Sequence, residues 1–156
     1  MNYAYSFEFE IGKLWICTDE NSLLELSFRD ELITTNYQIK ATDLILEVKK
    51  QLEEYFSSKR KVFDLPLNPQ GTEFQKKVWQ CLTKIPYGKT ACYKDIASAV
   101  GNPKASRAVG MANNKNPIPI IIPCHRVIGT NGKLVGYAGG LDIKTQLLKI
   151  ENKQHH

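Results

Sequence analysis

The amino-acid sequence predicts an α+β protein of two lobes: an N-terminal antiparallel sheet with one helix, and a C-terminal domain built on a helix-turn-helix. Three observations support this prediction. Aromatic residues alternate along the first predicted strand, a proline- and glycine-containing segment interrupts the chain near residues 65–71, and the charge changes sign across it. We expect one lobe at residues 1–66, a linker at 67–70 and a second lobe at 71–152.

The charge asymmetry says more than the net charge of +5. Residues 1–69 contain 8 Lys and Arg against 12 Asp and Glu, a net −4, whereas residues 70–156 contain 13 against 4, a net +9. A basic half of this size is typical of a surface that binds the phosphate backbone of nucleic acid. A solvated basic face is an equally good interpretation of the charge alone.

The first lobe is predicted to contain three antiparallel strands and a helix. Tyr3, Tyr5, Phe7 and Phe9 alternate with smaller or polar residues, and two further apolar runs, 14–17 and 23–28, follow turn-forming residues. Thr42 and Asp43 can begin a helix that ends near residues 57–58. Its apolar stripe consists of Leu44, Val48, Leu52, Tyr55 and Phe56. Because this lobe gathers no nucleophile, metal ligands or phosphate loop, we interpret it as structural support with an aromatic core.

The second lobe begins with three predicted helices. Thr72 caps the first, and the second covers residues 93–100. Gly101 makes a turn, and Asn102 and Pro103 provide the cap and first position of a helix that runs to about residue 113. In this third helix Lys104 and Arg107 lie on outward faces, and three small residues keep its surface thin: Ala108, Gly110 and Ala112. A thin basic helix can lie close to a duplex.

A proline-rich apolar segment, residues 116–127, carries the chemistry. Prolines at 117, 119 and 123 fix φ and remove backbone donors, which predicts a rigid, buried loop that ends in Cys124, His125 and Arg126. A turn at 130–133 predicts a hairpin that joins residues 127–128 to 134–135 and resembles a wing. A glycine-rich loop, 136–140, precedes a last helix at about 142–152, on which Glu151 borders the apolar stripe.

Cys124 needs help to react at neutral pH, because a free thiol titrates at about 8.5 and only the thiolate is a good nucleophile. His125 and Arg126 could supply a base or a positive field. Adjacent residues of an extended loop point in opposite directions, so we expect a water to bridge Cys124 and His125, with Glu151 orienting the imidazole. A Cys-His dipeptide alone would be weak evidence, since buried packing is the usual explanation for it, but together with the proline-rich segment, the basic helix-turn-helix and the glycine-rich loop it becomes strong.

The segment Pro123-Cys124-His125-Arg126-Val127, with Asn116-Pro117 before it and Tyr137-x-Gly139-Gly140 after it, closely resembles the O6-alkylguanine-DNA alkyltransferases. This family is also called the methylated-DNA–protein-cysteine methyltransferases. The resemblance covers residues 71–151, and residues 1–66 fit the family's N-terminal lobe in order and size. It implies a ribonuclease H-like N-terminal domain and a winged helix-turn-helix alkyltransferase domain.

The resemblance also implies catalytic roles. Cys124 would accept the alkyl group from O6 of guanine, His125 would act through water as its base, and Glu151 would orient His125. Asn116 corresponds to an asparagine that shapes the active-site turn. Tyr93 corresponds to a tyrosine whose hydroxyl serves guanine N3. No metal or organic cofactor is implied.

For DNA, the resemblance implies an arginine finger at Arg107, which fills the base stack when the damaged nucleotide is turned out. The backbone carbonyls of Cys124 and Val127 would contact the exocyclic amine of the base. The full set of expected substrate and DNA contacts is Arg107, Arg126, Val127, Tyr137, Ala138, Lys104, Lys94, Ala108 and Gly110. Ala138 departs from the serine of some members, which leaves the preferred alkyl size open.

The expected partner is double-stranded DNA containing O6-alkylguanine, bound through the minor groove, with O4-alkylthymine as a second substrate to be tested. We expect a cytoplasmic protein without membrane association, because no apolar stretch reaches the roughly 20 residues of a membrane span. We also expect it to be a monomer. Three alternatives stay open. They are a lesion-binding alkyltransferase-like protein that lacks the transfer reaction, a helix-turn-helix regulator, and a cysteine protease.

Overall fold

The computed structural model describes residues 1–30, 36–129 and 140–152. The chain divides into two compact units, Met1–Gln70 and Gly71–His156. Residues 67–70, expected as a linker, belong to the first unit: Leu23 N donates to Pro66 O at 2.8 Å and Asn68 N donates to Leu23 O at 2.9 Å. Within the described ranges, no helix combines the length and the apolar character needed to cross a bilayer.

The first unit contains a four-stranded sheet of order β3-β2-β1-β4. Its strands are β1 (Tyr3–Phe9), β2 (Gly12–Thr18), β3 (Leu23–Ser27) and β4 (Gln38–Ile39). The first three form the predicted antiparallel meander. The fourth, which the sequence did not predict, pairs in parallel with β1, so the sheet is mixed rather than purely antiparallel. A two-residue strand is too short to show an alternating pattern.

One helix, α1 (Asp43–Phe56), packs against β1 and β2. Thr42 caps it as predicted, since its Oγ1 accepts from Ile45 N at 3.3 Å. The buried side chains are Ile45, Val48, Gln51, Leu52 and Tyr55. The aromatic stripe on β1 is only partly buried, contrary to the expectation of an aromatic core: Tyr5 is 40% exposed, whereas its smaller neighbour Ala4 is fully buried.

The second unit begins with α2 (Glu73–Leu82), which has a complete capping box. Thr72 Oγ1 accepts from Gln75 N at 3.1 Å, and Thr72 N donates to Gln75 Oε1 at 2.9 Å. Gly71 lies directly under the ring of Trp79, where a Cβ atom would come within 2.5 Å of the indole. Only glycine fits there without displacement of the tryptophan.

Two helices follow, α3 (Tyr93–Ala99) and α4 (Ser106–Asn114). The prediction that Asn102 caps α4 and Pro103 begins it is wrong, because Asn102 instead completes the end of α3. Gly101 has φ +86°, its N–H donates to Ser98 O, and Asn102 N donates to Ala97 O, both at 3.0 Å. This is a Schellman motif. Lys104 therefore lies in the turn between the helices rather than on α4.

The remaining described elements surround the proline-rich segment. Cys124–Arg126 form one 3-10 turn, called the cysteine turn below, and β6 (Val127–Ile128) follows it. This strand pairs in parallel with β5 (Ala91–Cys92), a pairing that the sequence did not predict. The last helix, α5 (Leu141–Asn152), packs against the cysteine turn. The predicted wing, from residue 130 onward, lies outside the described residues.

Candidate active site

The Asn116 side chain bridges the two ends of the loop before the cysteine turn, which also contains backbone hydrogen bonds of its own. Asn116 Nδ2 donates to Ile122 O at 2.8 Å, and Asn116 Oδ1 accepts from Ile118 N at 3.0 Å. Through Nδ2, Asn116 supplies a hydrogen-bond donor in a segment where the prolines have none on their backbone nitrogens. Ile120, 1% exposed, has φ +75°, a conformation that is strained for a β-branched residue. The loop is therefore rigid and buried, in agreement with the proline pattern.

Side chains from two helices bind the backbone carbonyls of Cys124 and Val127. Asn113 Nδ2, from α4, donates to Cys124 O at 3.4 Å. Lys144 Nζ, from α5, donates to Val127 O at 2.7 Å. Both side chains are buried, Asn113 at 2% and Lys144 at 0% exposure. The segment that carries Cys124 is thus held from both sides by the helices that pack around it.

Glu151 lies at the centre of the polar cluster and is 1% exposed. Its Oε2 accepts from His125 Nε2 at 2.5 Å, so the predicted proximity of these two residues is present. Arg126 donates to the same carboxylate through Nε at 2.8 Å and Nη2 at 3.1 Å. Gly88 N donates to Oε1 at 3.3 Å. With four donors, the carboxylate is well satisfied as a buried anion.

The protonation states follow from burial and from these partners. Burial raises the pKa of Cys124 to about 11, although the Asn116 hydrogen bond and the Lys144 charge lower it. Burial lowers the pKa of His125, and the charges of Arg126 and Lys144 add to this, while Glu151 opposes it. At neutral pH the site therefore holds a thiol and a neutral imidazole rather than a preformed ion pair. Any reaction of Cys124 as a nucleophile would require this thiol to lose its proton.

The pKa values of Glu151 and Lys144 are both lowered, but for different reasons. Burial alone would raise the pKa of Glu151, but the bonds and charges of His125 and Arg126 lower it to about 2. Burial lowers the pKa of Lys144, and the neighbouring Cys124 opposes this shift. A group this buried and this close to a nucleophile is a candidate functional residue.

Two residues expected to contact DNA are buried in the second unit. Arg126, 7% exposed, binds Glu151 and donates through Nη1 to Ile85 O at 2.7 Å. Val127 is fully buried. The Arg126 guanidinium, which was expected to contact DNA, is therefore bound to a buried carboxylate and a backbone carbonyl.

The other expected DNA contacts that fall within the described residues lie at the surface of the helix-turn-helix. Four of them are exposed: Lys94, Lys104, Arg107 and Ala108. Tyr93, at the start of α3, is half-buried, and its pKa is raised by burial and then by the Cys124 charge. A Cβ atom on Gly110 would lie 3.8 Å from Tyr93 Cε1, so a larger residue would press on this ring. Tyr137 and Ala138 lie outside the described residues.

The sequence reasoning missed Lys144 and Asn113. Helical spacing could have found Lys144, because it precedes Leu147 by three positions and Glu151 by seven, on one face of α5. A lysine on a buried face is unusual enough to indicate a role. Asn113 had no comparable signal, since an asparagine near a helix end is typical of a cap.

Comparisons with known proteins agree with this geometry. The model of the 6-O-methylguanine DNA methyltransferase DNA-binding domain matches residues 73–153, and that of the same enzyme's ribonuclease-like domain matches residues 1–69. A methylated-DNA–protein-cysteine methyltransferase of Methanosarcina acetivorans is 52% identical over 154 residues, covering 97% of this chain and 98% of the relative.

Solved structures give the same result. The O6-methylguanine methyltransferase of Mycobacterium tuberculosis is similar with TM-score 0.91 and 39% identity, covering 98% of this chain and 94% of that one. A structure of M. tuberculosis OGT in complex with DNA gives TM-score 0.90 and 40% identity, covering 97% and 94%. With both units matched and relatives aligned over nearly the full length, the chain belongs to the 6-O-methylguanine DNA methyltransferase family.

Proposed function

We propose that this protein repairs DNA by transferring the alkyl group of O6-alkylguanine, chiefly O6-methylguanine, to Sγ of Cys124. One observation carries the proposal. A buried cysteine lies beside a histidine whose Nε2 is bound to a carboxylate, so the other ring nitrogen is left as a proton acceptor.

In the proposed reaction the Sγ–carbon bond forms as the carbon–O6 bond breaks. The thiol proton passes through a water to His125 Nδ1, which the described residues leave without a hydrogen-bond partner. The electron pair of the broken bond stays on guanine, and the Tyr93 hydroxyl stabilises the leaving base at N3. The product is a thioether, which water and thiols do not displace, so each molecule reacts once.

Access to the cysteine requires nucleotide flipping, because Cys124 is 2% exposed and O6 is inside the duplex. Arg107 is proposed to enter the stack from the minor groove, with Ala108 and Gly110 allowing close approach. Lys94 and Lys104 would bind phosphates without sequence preference. The carbonyls of Cys124 and Val127, each with a second lone pair, would accept from the exocyclic amine.

We further propose that the protein acts as a cytoplasmic monomer. All four cysteines are free, which fits a reducing compartment. Analytical ultracentrifugation at micromolar concentration, with and without DNA, tests the monomeric state. A stable dimer in the absence of DNA would contradict it.

The test of transfer is the intact mass after incubation with a duplex that contains O6-methylguanine. One added methyl group per molecule is expected, located on Cys124 by peptide mapping. Cys124→Ser should show no adduct, whereas the matched control Cys81→Ser should react like the wild type. If the wild type binds the lesion but gains no mass, the lesion-binding alternative is correct and the transfer proposal is wrong.

A further inference from the structure

We propose that Arg126 is a positioning residue that keeps His125 neutral, and so able to accept a proton, by holding the Glu151 carboxylate in a bidentate pair. The inference rests on the proposed function only in taking His125 as the base for Cys124. It assigns the arginine of the cysteine turn to the proton relay rather than to DNA.

All three guanidinium nitrogens of Arg126 are used. Nε and Nη2 donate to Glu151 at 2.8 and 3.1 Å, and Nη1 donates to Ile85 O at 2.7 Å. The guanidinium carbon lies 5.7 Å from the centroid of the Tyr87 ring. This arrangement requires the planar fork of arginine, because the single ammonium of lysine cannot reproduce two parallel bonds to a carboxylate.

Arg126 and His125 both donate a hydrogen bond to the same oxygen atom of Glu151. Glu151 Oε2 accepts from His125 Nε2 at 2.5 Å and from Arg126 Nη2 at 3.1 Å. A carboxylate can only accept, so Nε2 carries the imidazole hydrogen and Nδ1 presents its lone pair. In the part of the chain that the structure describes, this buried Nδ1 has no hydrogen-bond partner. The tautomer is the one that a base acting through Nδ1 needs.

Charge explains why the arginine matters. A buried carboxylate with only an imidazole beside it would favour protonation of that imidazole, because an ion pair then replaces an isolated buried charge. Arg126 already compensates the carboxylate. The imidazole is therefore held by a hydrogen bond without being driven to imidazolium, and its Nδ1 stays free to accept.

Other charged or titratable groups around His125 do not replace this role. Lys144, on α5, also disfavours the imidazolium, but it binds Val127 O and couples to Cys124. Tyr87 faces Arg126 and Glu151, and Tyr93 on α3 faces Cys124. Helix α2, which also packs against the cysteine turn, buries three side chains that do not titrate: Val78, Trp79 and Leu82.

The experiment is a ¹⁵N NMR titration of the His125 ring in the full-length protein. The wild-type imidazole should be neutral at pH 7. In Arg126→Gln its titration midpoint should rise by about one pH unit or more, the usual effect of losing a nearby compensating charge. In Arg126→Lys the His125 midpoint should rise by less. The matched control is Arg60→Gln, which breaks another arginine–glutamate pair, Nε to Glu54 Oε1 at 2.9 Å, in the first unit, and should leave His125 unchanged.

The second readout is the pH dependence of Cys124 methylation by the O6-methylguanine duplex. In Arg126→Gln the acid limb of the rate profile should shift to higher pH by the same amount as the His125 midpoint. A purely structural arginine would lower the rate at every pH without moving the limb.

Two results would overturn the inference: folded Arg126→Gln with an unchanged His125 midpoint, or a wild-type His125 that is imidazolium at pH 7. If Arg126→Gln fails to fold, Arg126→Lys decides the matter: its His125 midpoint should still rise, and an unchanged midpoint would overturn the inference. The proposed function fails separately, when wild-type protein gains no methyl group although His125 titrates as expected.

Discussion

Two regions of the second unit use polar residues in opposite ways. The cysteine cluster, defined as Cys124, His125, Arg126, Lys144 and Glu151, is buried, and its charged groups bind one another or backbone carbonyls. The outer face of α4, defined as Arg107, Ala108 and Met111, is exposed. The same residue type, arginine, occurs in both. Its role is decided by burial: Arg126 compensates a carboxylate, whereas Arg107 is available to a partner.

The comparison predicts that truncations in the cysteine cluster damage the fold, whereas truncations on the outer face damage only DNA-dependent steps. Glu151→Ala should have the largest effect. It leaves the Arg126 charge buried without its partner, which should lower the free energy of unfolding by about 3–5 kcal/mol. Urea denaturation measures this.

The control for Glu151→Ala is Glu54→Ala, which breaks the partly exposed pair with Arg60. An exposed pair of this kind contributes about 0–1 kcal/mol. Equal losses in the two variants would show that burial does not distinguish the pairs.

Acid should weaken the fold through the same carboxylate. The pKa of Glu151 is lowered from 4.5 to about 2 on folding, so its stabilisation is fully present above pH 4.5 and is lost as the pH falls toward 2. The loss should be on the order of 3 kcal/mol. It can be followed by denaturation at pH 5, 4 and 3. Glu151→Gln should show a flatter pH dependence, and an equally steep one would assign the acid loss to other groups.

Arg107→Ala tests the outer face. Methylation from duplex DNA should slow by roughly 10–100-fold, because an inserted side chain offsets a few kcal/mol of lost stacking. Reaction with free O6-alkylguanine base should change little, since no flipping is needed. Single-turnover rates with both substrates measure the difference.

The control for Arg107→Ala is Lys115→Ala, exposed at the end of the same helix. It should leave both rates near those of the wild type. Equal losses of Arg107→Ala on duplex and free base would refute an inserted finger.

Lys144→Met should act on the thiol itself. Because the Lys144 charge lowers the pKa of Cys124, its removal should raise that pKa and slow the reaction of Cys124 with iodoacetamide at pH 8 by roughly tenfold, the equivalent of one pKa unit. Lys149→Met, exposed on the same helix, is the matched control. An unchanged rate in Lys144→Met would remove the electrostatic role.

The smallest effects are expected at the lysines of the helix-turn-helix. Lys94→Ala and Lys104→Ala should each weaken duplex binding a few-fold at low salt, and each should reduce the slope of log K against log salt by about 0.9, one phosphate contact. Fluorescence anisotropy at several salt concentrations measures this. Lys50→Ala, exposed on α1, should leave the slope unchanged. Unchanged slopes in Lys94→Ala and Lys104→Ala would exclude these two lysines as phosphate contacts.

The sequence by itself determined the features that depend on local chemistry. The prolines predicted a rigid cysteine loop, the capping residues Thr42 and Thr72 marked the starts of α1 and α2, and alternation predicted the meander. These features succeed because φ restriction, capping and strand periodicity act over a few residues. The motif around Cys124 was specific enough to indicate the family.

Only the tertiary structure decided which polar residues are buried together. Asn102 could cap α4 or complete the end of α3, and the packing of the two helices selected the second. Arg126 looked like a DNA contact until the fold brought Glu151, 25 residues away, against it. Lys144 reached Val127 across 17 residues. Such contacts depend on where whole helices pack. Burial and charge pairing decide the ionisation of a side chain, and both arise only once the helices are packed.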